Sequence, residues 1–151
     1  MIADLGVMCI KLENTTTSNS ILKTAKSLID NNPYTQICVF NSYSEVVDNH
    51  SVPLLHLSQA KFFDGNLIVF DIPSLILSKN FINIANRFYY AHETPWTQYV
   101  MPFKYWSDIF DSENLSIIAK SQQIYDIYDM CWKKPIGISE DFSYETIKDL
   151  L

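Results

Sequence analysis

The most constraining feature of this chain is the alternation of two kinds of segment along its length. Short apolar runs, typical of buried strands, alternate with stretches whose apolar residues recur at helical spacing. Seven runs are predicted as strands: 5–12, 36–40, 53–57, 67–70, 87–91, 115–119 and 136–138. Because strands separated by helices pair in parallel beneath layers of helices, the pattern predicts an α/β protein.

The length and composition fit one such domain. Of 151 residues, 48% are apolar and 14% aromatic, which is enough to bury a continuous core. No internal repeat and no interior linker divides the chain. We therefore predict a single three-layer Rossmann-like domain over residues 1–151, with a largely parallel sheet of about seven strands.

Charge and hydropathy disfavour several partners. The formal net charge is -6 and Lys and Arg form no run, so the electrostatic field opposes binding to nucleic acid and to anionic membranes. No apolar stretch approaches the roughly 20 residues that span a bilayer. Residues 1–13 lack a small-residue cleavage site. We expect a cytoplasmic protein with no membrane span and no nucleic-acid partner.

Cysteine and glycine usage gives no sign of a metal or a tightly bound cofactor. The three cysteines, Cys9, Cys38 and Cys131, are far apart and lack paired metal-ligand spacing. We predict all three as reduced core residues, Cys131 on the apolar face of a helix. The chain has 3 glycines and no glycine-rich phosphate-binding motif.

Polar residues follow four of the predicted strands. They are Thr15, Thr16 and Thr17 after the first, Asp71 after the fourth, His92 and Glu93 after the fifth, and Ser121 after the sixth. The carboxyl ends of parallel strands share one edge of a sheet, where helix amino termini also point and ligands bind. We predict His92 and Glu93 as catalytic residues and the other five as ligand-binding residues.

His92 is the most chemically suggestive of these side chains. An imidazole at a strand end titrates near neutrality and donates to a sugar hydroxyl or a phosphate. The alternative is a histidine hydrogen-bonded within its own loop beside a solvated Glu93. Of the other histidines, His56 is interpreted as a core or rim residue and His50 as a solvated loop residue.

The remaining candidates also have structural interpretations. Asp71 fits the amino-terminal cap of a helix as well as a general base. Residues 15–17 form a polar turn that either holds an anion or is a tolerant surface loop, with Ser18 or Asn19 capping the helix that follows. Ser121 is predicted to cap a helix.

Aromatic residues cluster in the second half of the chain. The group consists of Tyr89, Tyr90, Trp96, Tyr99, Phe103, Tyr105 and Trp106. It suggests a stacking platform for sugar rings or a patch for a partner protein, although packing between a helix and a strand explains most of it. Between these residues, Pro95 is predicted to keep the 92–96 loop out of a helix.

Three segments lie at the ends of predicted strands, at 87–93, 117–121 and 135–142. Together they resemble the amino-terminal half of GT-B glycosyltransferases of the retaining, sucrose- and glycogen-synthase-like group. Arg-Phe-Tyr-Tyr-Ala-His-Glu at 87–93 is similar to the family's strand ending in His-Asp. Ile-Ile-Ala-Lys-Ser at 117–121 resembles its strand ending in a helix-opening serine, and Pro-Ile-Gly-Ile-Ser-Glu-Asp-Phe at 135–142 resembles its Pro-Asn-Gly-Val-Asp segment.

The resemblance implies a sugar-binding role. It implies that His92 contacts the transferred sugar, that 15–17 face the same cleft, and that a nucleotide sugar is the donor. The family's Gly-Gly in the first loop is replaced here by 14–17, Asn-Thr-Thr-Thr. The family's second domain, which carries most nucleotide-sugar contacts and an acidic pair, would have to come from a partner protein or a second copy. The amino-acid composition, poor in Gly and rich in Asn, Ile, Lys and Tyr, suggests a stand-alone phage or viral version of this half-enzyme.

Two functional hypotheses follow, and a third is disfavoured. The first is a glycosyltransferase-like protein that binds a sugar or nucleotide sugar at the carboxyl edge of its sheet. The second is a non-catalytic interaction module that docks on another protein through the aromatic surface of 96–110 or its terminal helix, 143–151. A flavodoxin-like carrier is disfavoured because no strand end shows the required acidic cluster or phosphate loop.

Overall fold

A computed structural model of the chain describes residues 3–45 and 51–151, so His50 lies outside the described residues. The strands are β1 (Leu5–Met8), β2 (Lys11–Leu12), β3 (Ile37–Asn41), β4 (Tyr43–Ser44), β5 (Leu54–His56), β6 (Gly65–Val69), β7 (Ile84–Ala91), β8 (Leu115–Ala119) and β9 (Gly137–Ile138). The helices are α1 (Thr16–Asn31), α2 (Ile72–Ser78), α3 (Pro95–Gln98), α4 (Phe103–Phe110), α5 (Gln122–Cys131) and α6 (Tyr144–Ile147), with a 3-10 helix at Leu57–Phe62.

Seven strands form one sheet in the order β5-β3-β1-β6-β7-β8-β9, and every neighbouring pair is parallel. From β1 the chain adds strands β3 and β5 on one side, and from β6 it adds β7, β8 and β9 on the other side. The direction of the winding therefore changes between β1 and β6, which makes this the topological switch point. This is the strand arrangement of a Rossmann-like domain. The prediction of an α/β domain with a parallel sheet of about seven strands is therefore confirmed.

Successive residues of each buried strand point to opposite faces of the sheet, so both faces are apolar. Helices cover both of them. On the first face, Val7 and Ile68 belong to an apolar cluster with α1 and α6. On the second face, Val69 and Tyr89 belong to a cluster with the 3-10 helix, α2, α4 and α5. Within 3–45 and 51–151, no helix is long and apolar enough to cross a membrane.

The predicted first strand, 5–12, is divided in two. β1 ends at Met8, and after the break at Cys9–Ile10 the chain continues as β2, which pairs with β4 in a separate two-stranded sheet. The backbone N–H of Ile10 donates to Oδ2 of Asp71 at 2.7 Å, so a side chain 61 residues away takes the place of a strand partner. The prediction of one strand over 5–12 is wrong because the break depends on Asp71, which is distant in the sequence.

Two further local predictions are wrong. Pro95 does not exclude a helix but begins the short α3, where its missing N–H needs no partner, and the N–H of Tyr99 donates to its carbonyl at 3.1 Å. Cys9 and Cys38 are buried, whereas Cys131 is exposed because α5 buries only Tyr128 fully against the sheet.

The segment after β9 folds back over the first face of the sheet. Phe142, in the left-handed backbone region at φ 46°, is buried against the rings of Phe70 and Tyr90, with centroids at 4.7 and 5.2 Å. The hydroxyl of Tyr90 donates to the carbonyl of Ser139 at 2.7 Å, and that of Thr24 in α1 donates to the carbonyl of Phe142. These contacts hold residues 139–142 beside the start of α1, at the carboxyl edge of the sheet.

Candidate functional site

His92 lies just past the end of β7, in a small pocket that it shares with the first turn of α1. Thr16 and Thr17 line one side of this pocket, and Lys120 and Asp141 line others. Its volume is about 70 Å³, which is room for one chemical group rather than for a whole sugar. The structure thus brings His92 together with two of the predicted threonines; we call this the His92 pocket.

The His92 pocket can both donate and accept hydrogen bonds. Lys120 supplies a donor, and the first backbone N–H groups of a helix such as α1 lack partners within the helix. Glu140 and Asp141 also line the pocket, so its charge is mixed rather than positive. Nδ1 of His92 lies 3.4 Å from the carbonyl oxygen of Tyr90, and a proton on Nδ1 leaves Nε2 as an acceptor.

The polar turn predicted at 15–17 is the start of α1. Thr15 is the amino-terminal cap, with its hydroxyl accepting from the N–H of Ser18 at 3.2 Å, and α1 begins at Thr16. The prediction that Ser18 or Asn19 caps this helix is wrong, because both residues already lie within it. Thr15 therefore stabilises the helix, while Thr16 and Thr17 face the pocket.

Glu93 borders a larger cleft on the opposite face of the sheet. It is lined by Asp71 and Ile72 at the start of α2, by Glu93, and by Tyr99, Tyr105 and Trp106 from α4 and the segment before it. We call it the aromatic cleft. Its volume of about 350 Å³ falls within the range of small-molecule sites. Two neighbouring residues of one loop thus reach two different pockets.

The aromatic cleft carries negative charge. Oδ1 of Asp71 accepts from the N–H of Ser74 at 2.8 Å, and Oδ2 accepts from that of Ile10 at 2.7 Å. The carboxylate of Glu93 accepts from the neutral side-chain amide of Gln98 at 3.0 Å. No Lys, Arg or His lines this cleft among the described residues. Its two carboxylates are therefore partnered by hydrogen bonds and not by opposite charges.

A dense aromatic cluster supports the cleft from below. Trp96 packs edge-on against Tyr128 and Trp132, with ring centroids at 4.9 and 5.4 Å. The hydroxyl of Tyr128 donates to the backbone carbonyl of Glu93 at 3.1 Å. Burial raises the pKa of Tyr128 well above its ordinary value, so this hydroxyl stays protonated at neutral pH. The cluster therefore fixes the backbone of the loop that presents both predicted catalytic residues.

Ser121 has a structural role. Its hydroxyl accepts from the N–H of Ile124 at 3.3 Å and caps α5, as predicted. In the part of the chain that the structure describes, Ser121 and Thr15 line neither the His92 pocket nor the aromatic cleft. The other five of the seven predicted site residues line one of the two.

Three charged residues that line the His92 pocket, Lys120, Glu140 and Asp141, were not among the seven predicted site residues. Lys120 directly follows β8, so the same strand-end rule that selected His92 also selects it. Glu140 and Asp141 follow β9, so the strand-end rule also nominates residues 139–141, and the return of 139–142 over the sheet brings these two carboxylates to the His92 pocket.

Comparison with protein-family models, with curated proteins and with solved structures finds no match. Among residues 3–45 and 51–151, no group of three or more His, Cys, Asp or Glu side chains is placed to hold a metal ion. The fold and the site define a Rossmann-like α/β domain with pockets on both faces of its carboxyl edge. The glycosyltransferase resemblance and the roles of the site residues stay predictions.

Proposed function

We propose that this protein is a glycosyltransferase-like domain that binds a sugar, free or within a nucleotide sugar, at the carboxyl edge of its sheet. The observation that carries the proposal is the position of the His92-Glu93 dipeptide between the His92 pocket and the aromatic cleft. Ligands of open parallel sheets bind at this edge, beside the switch point that here lies between β1 and β6.

The two sites suit different parts of such a ligand. Aromatic rings pack against the apolar faces of a sugar ring, and carboxylates accept from its hydroxyls, so the aromatic cleft suits the sugar. The His92 pocket, with His92, Lys120 and the start of α1, suits a phosphoryl oxygen or a hydroxyl. The two sites lie on opposite faces of the sheet but are bordered by neighbouring residues whose Cα atoms are about 3.8 Å apart, and we propose that one ligand spans the strand end and reaches both.

In this proposal His92 and Glu93 are the catalytic residues, with His92 as proton donor or acceptor at a reacting oxygen. Transfer also requires electrostatic stabilisation of the leaving diphosphate. In the His92 pocket the two carboxylates of Glu140 and Asp141 oppose the positive charge of Lys120, so the pocket alone is poorly suited to that task. We propose that a second domain, a partner protein or a second copy of the chain supplies the missing contacts.

Calorimetric titration with nucleotide sugars, beginning with UDP-glucose, tests the proposal. We expect measurable binding that falls about tenfold or more in His92→Ala, since a hydrogen bond to a charged group contributes about 1.5–3 kcal/mol. His56→Ala is the matched control, because His56 is exposed and its Nδ1 accepts from the N–H of Ser58 outside both sites. Absence of binding for common nucleotide sugars and for free sugars would overturn the proposal.

One observation favours the second candidate, a non-catalytic interaction module. The segment between α3 and α4 and the first residue of α4 expose four large apolar side chains close together in the sequence, Tyr99, Val100, Met101 and Phe103. Contiguous exposed apolar surface marks protein interaction sites, here for a partner protein or a second copy. Light scattering tests self-association. If a second copy binds here, the wild type should have the molar mass of a dimer, and Val100→Ser and Phe103→Ser should lower it towards that of a monomer. A wild-type monomer at high concentration argues against the second copy.

A further inference from the structure

The charge of the aromatic cleft restricts what it can hold. Asp71 and Glu93 place two carboxylates on its wall, and within the described residues neither has a Lys or Arg at ion-pair distance. The whole chain has a net charge of -6, so no long-range positive field compensates them. A phosphate group in the cleft would meet uncompensated negative charge, whereas a cation would be attracted.

The aromatic wall adds a second attraction for a cation. Tyr105 and Trp106 meet edge-to-face, with centroids 5.0 Å apart and planes at 81°, and Tyr99 lies on the same cleft. Aromatic faces attract ammonium groups through their negative quadrupole, and the attraction grows when the cation is partly desolvated. Rings together with carboxylates are the groups by which proteins recognise organic ammonium ions, and they also pack against sugar rings.

Taken with the proposed function, on which this inference rests, these features define the ligand more narrowly. We propose that the aromatic cleft selects a sugar that carries an ammonium group, that is, an amino sugar, over neutral and phosphorylated sugars. The ring packs on Tyr99 and Tyr105, which are more exposed than the buried Trp106, and the ammonium group donates to Glu93. Phosphate groups are directed away from this cleft, towards the His92 pocket.

The three tryptophans of the chain provide the readout. Trp106 lines the cleft, and Trp96 and Trp132 belong to the aromatic cluster below it, so ligand binding there changes the intrinsic fluorescence. The probes are glucosamine, glucose, N-acetylglucosamine and glucose 6-phosphate at about pH 6, where an amino group is protonated. We expect glucosamine to bind about tenfold more tightly than glucose or N-acetylglucosamine, and glucose 6-phosphate to bind most weakly.

Substitutions locate the origin of this preference. Glu93→Gln keeps the shape and removes the charge, and we expect it to abolish the preference for glucosamine while glucose binding persists. Glu113→Gln is the matched control, because Glu113 is exposed before β8 at the opposite edge of the sheet, and the preference should survive there. Preserved preference in Glu93→Gln, with the fold intact by circular dichroism, would overturn the assignment.

The outcomes separate this inference from the function on which it rests. Equal binding of glucosamine and glucose would refute ammonium selection and leave sugar binding standing. Binding of tetramethylammonium with no binding of any sugar would refute the proposed function and place an ammonium site in the cleft without a sugar. Absence of every response would refute both.

Discussion

Asp71 joins the two central strands of the sheet to the helix that follows them, and its removal tests how this edge is built. One carboxylate oxygen caps α2 through the N–H of Ser74, and the other accepts from the N–H of Ile10 at the break between β1 and β2. In Asp71→Ala both bonds are lost, and the partly buried N–H of Ile10 is left without its partner.

The expected loss of stability follows from these two bonds. A lost amino-terminal cap costs about 1 kcal/mol. Loss of a hydrogen bond from a buried amide to a charged acceptor costs about 1.5–3 kcal/mol, because the amide is left unpaired. We therefore expect Asp71→Ala to lower the free energy of unfolding by roughly 2.5–4 kcal/mol, which corresponds to a fall in Tm of roughly 5–15 °C in a chain of this size.

Urea denaturation followed by tryptophan fluorescence measures this loss. Ser121→Ala is the matched control, because Ser121 caps α5 with one bond to the N–H of Ile124 and should cost only about 1 kcal/mol. Asp71→Asn retains one carbonyl oxygen as an acceptor and should fall between the two. If Asp71→Ala costs no more than Ser121→Ala, the bond to Ile10 does not hold the edge together and the reasoning is refuted.

Three further predictions concern packing and buried thiols. Burial raises the pKa of Cys9 and of Cys38 to about 12, so a thiol reagent at neutral pH should label the exposed Cys131 quickly and the other two only after unfolding; equal rates would contradict this. In the unfolded chain these two thiols ionise near the ordinary pKa of 9.0, whereas in the folded protein they stay protonated up to about pH 12. The free energy of unfolding should therefore fall as the pH rises above about 9. Urea midpoints measured over this pH range test this, and midpoints that do not change with pH would contradict it. Gly6→Ala would place its Cβ 2.9 Å from the ring of Phe40, and we expect a loss of about 1–3 kcal/mol in urea denaturation, with an unchanged midpoint as the contrary result.

The fold was predictable from local patterns because the central strands β1, β3, β6 and β8 are short buried runs with their own boundaries. The bounds predicted for β8, 115–119, coincide with the observed strand, and the caps at Asp71 and Ser121 are confirmed, since capping chemistry depends on residues within one turn. The break at Cys9–Ile10 escaped prediction because it depends on a contact between distant segments.

The candidate site was predictable on one face and not on the other. Parallel strands gather their carboxyl ends at one edge, which placed His92 beside Thr16 and Thr17. The aromatic cleft needs the start of α2, the loop after β7 and α4 to converge, and no single segment encodes that. The aromatic residues of 96–110 were the only sequence signal for this cleft. Packing alone explains one of them, Trp106, which is buried. Only the fold shows that another, Tyr99, is exposed beside Glu93.

The central claim is that a sugar ligand binds at the carboxyl edge of the sheet, and an amide chemical-shift map recorded during titration with UDP-glucose and with glucosamine tests it most directly. The account predicts that shifts concentrate at the amides of 15–17, 92–94, 99–106 and 120–122, while those of 34–36 and 113–114 at the amino edge stay unchanged. Shifts confined to the amino edge, or no shifts with either ligand, would contradict it.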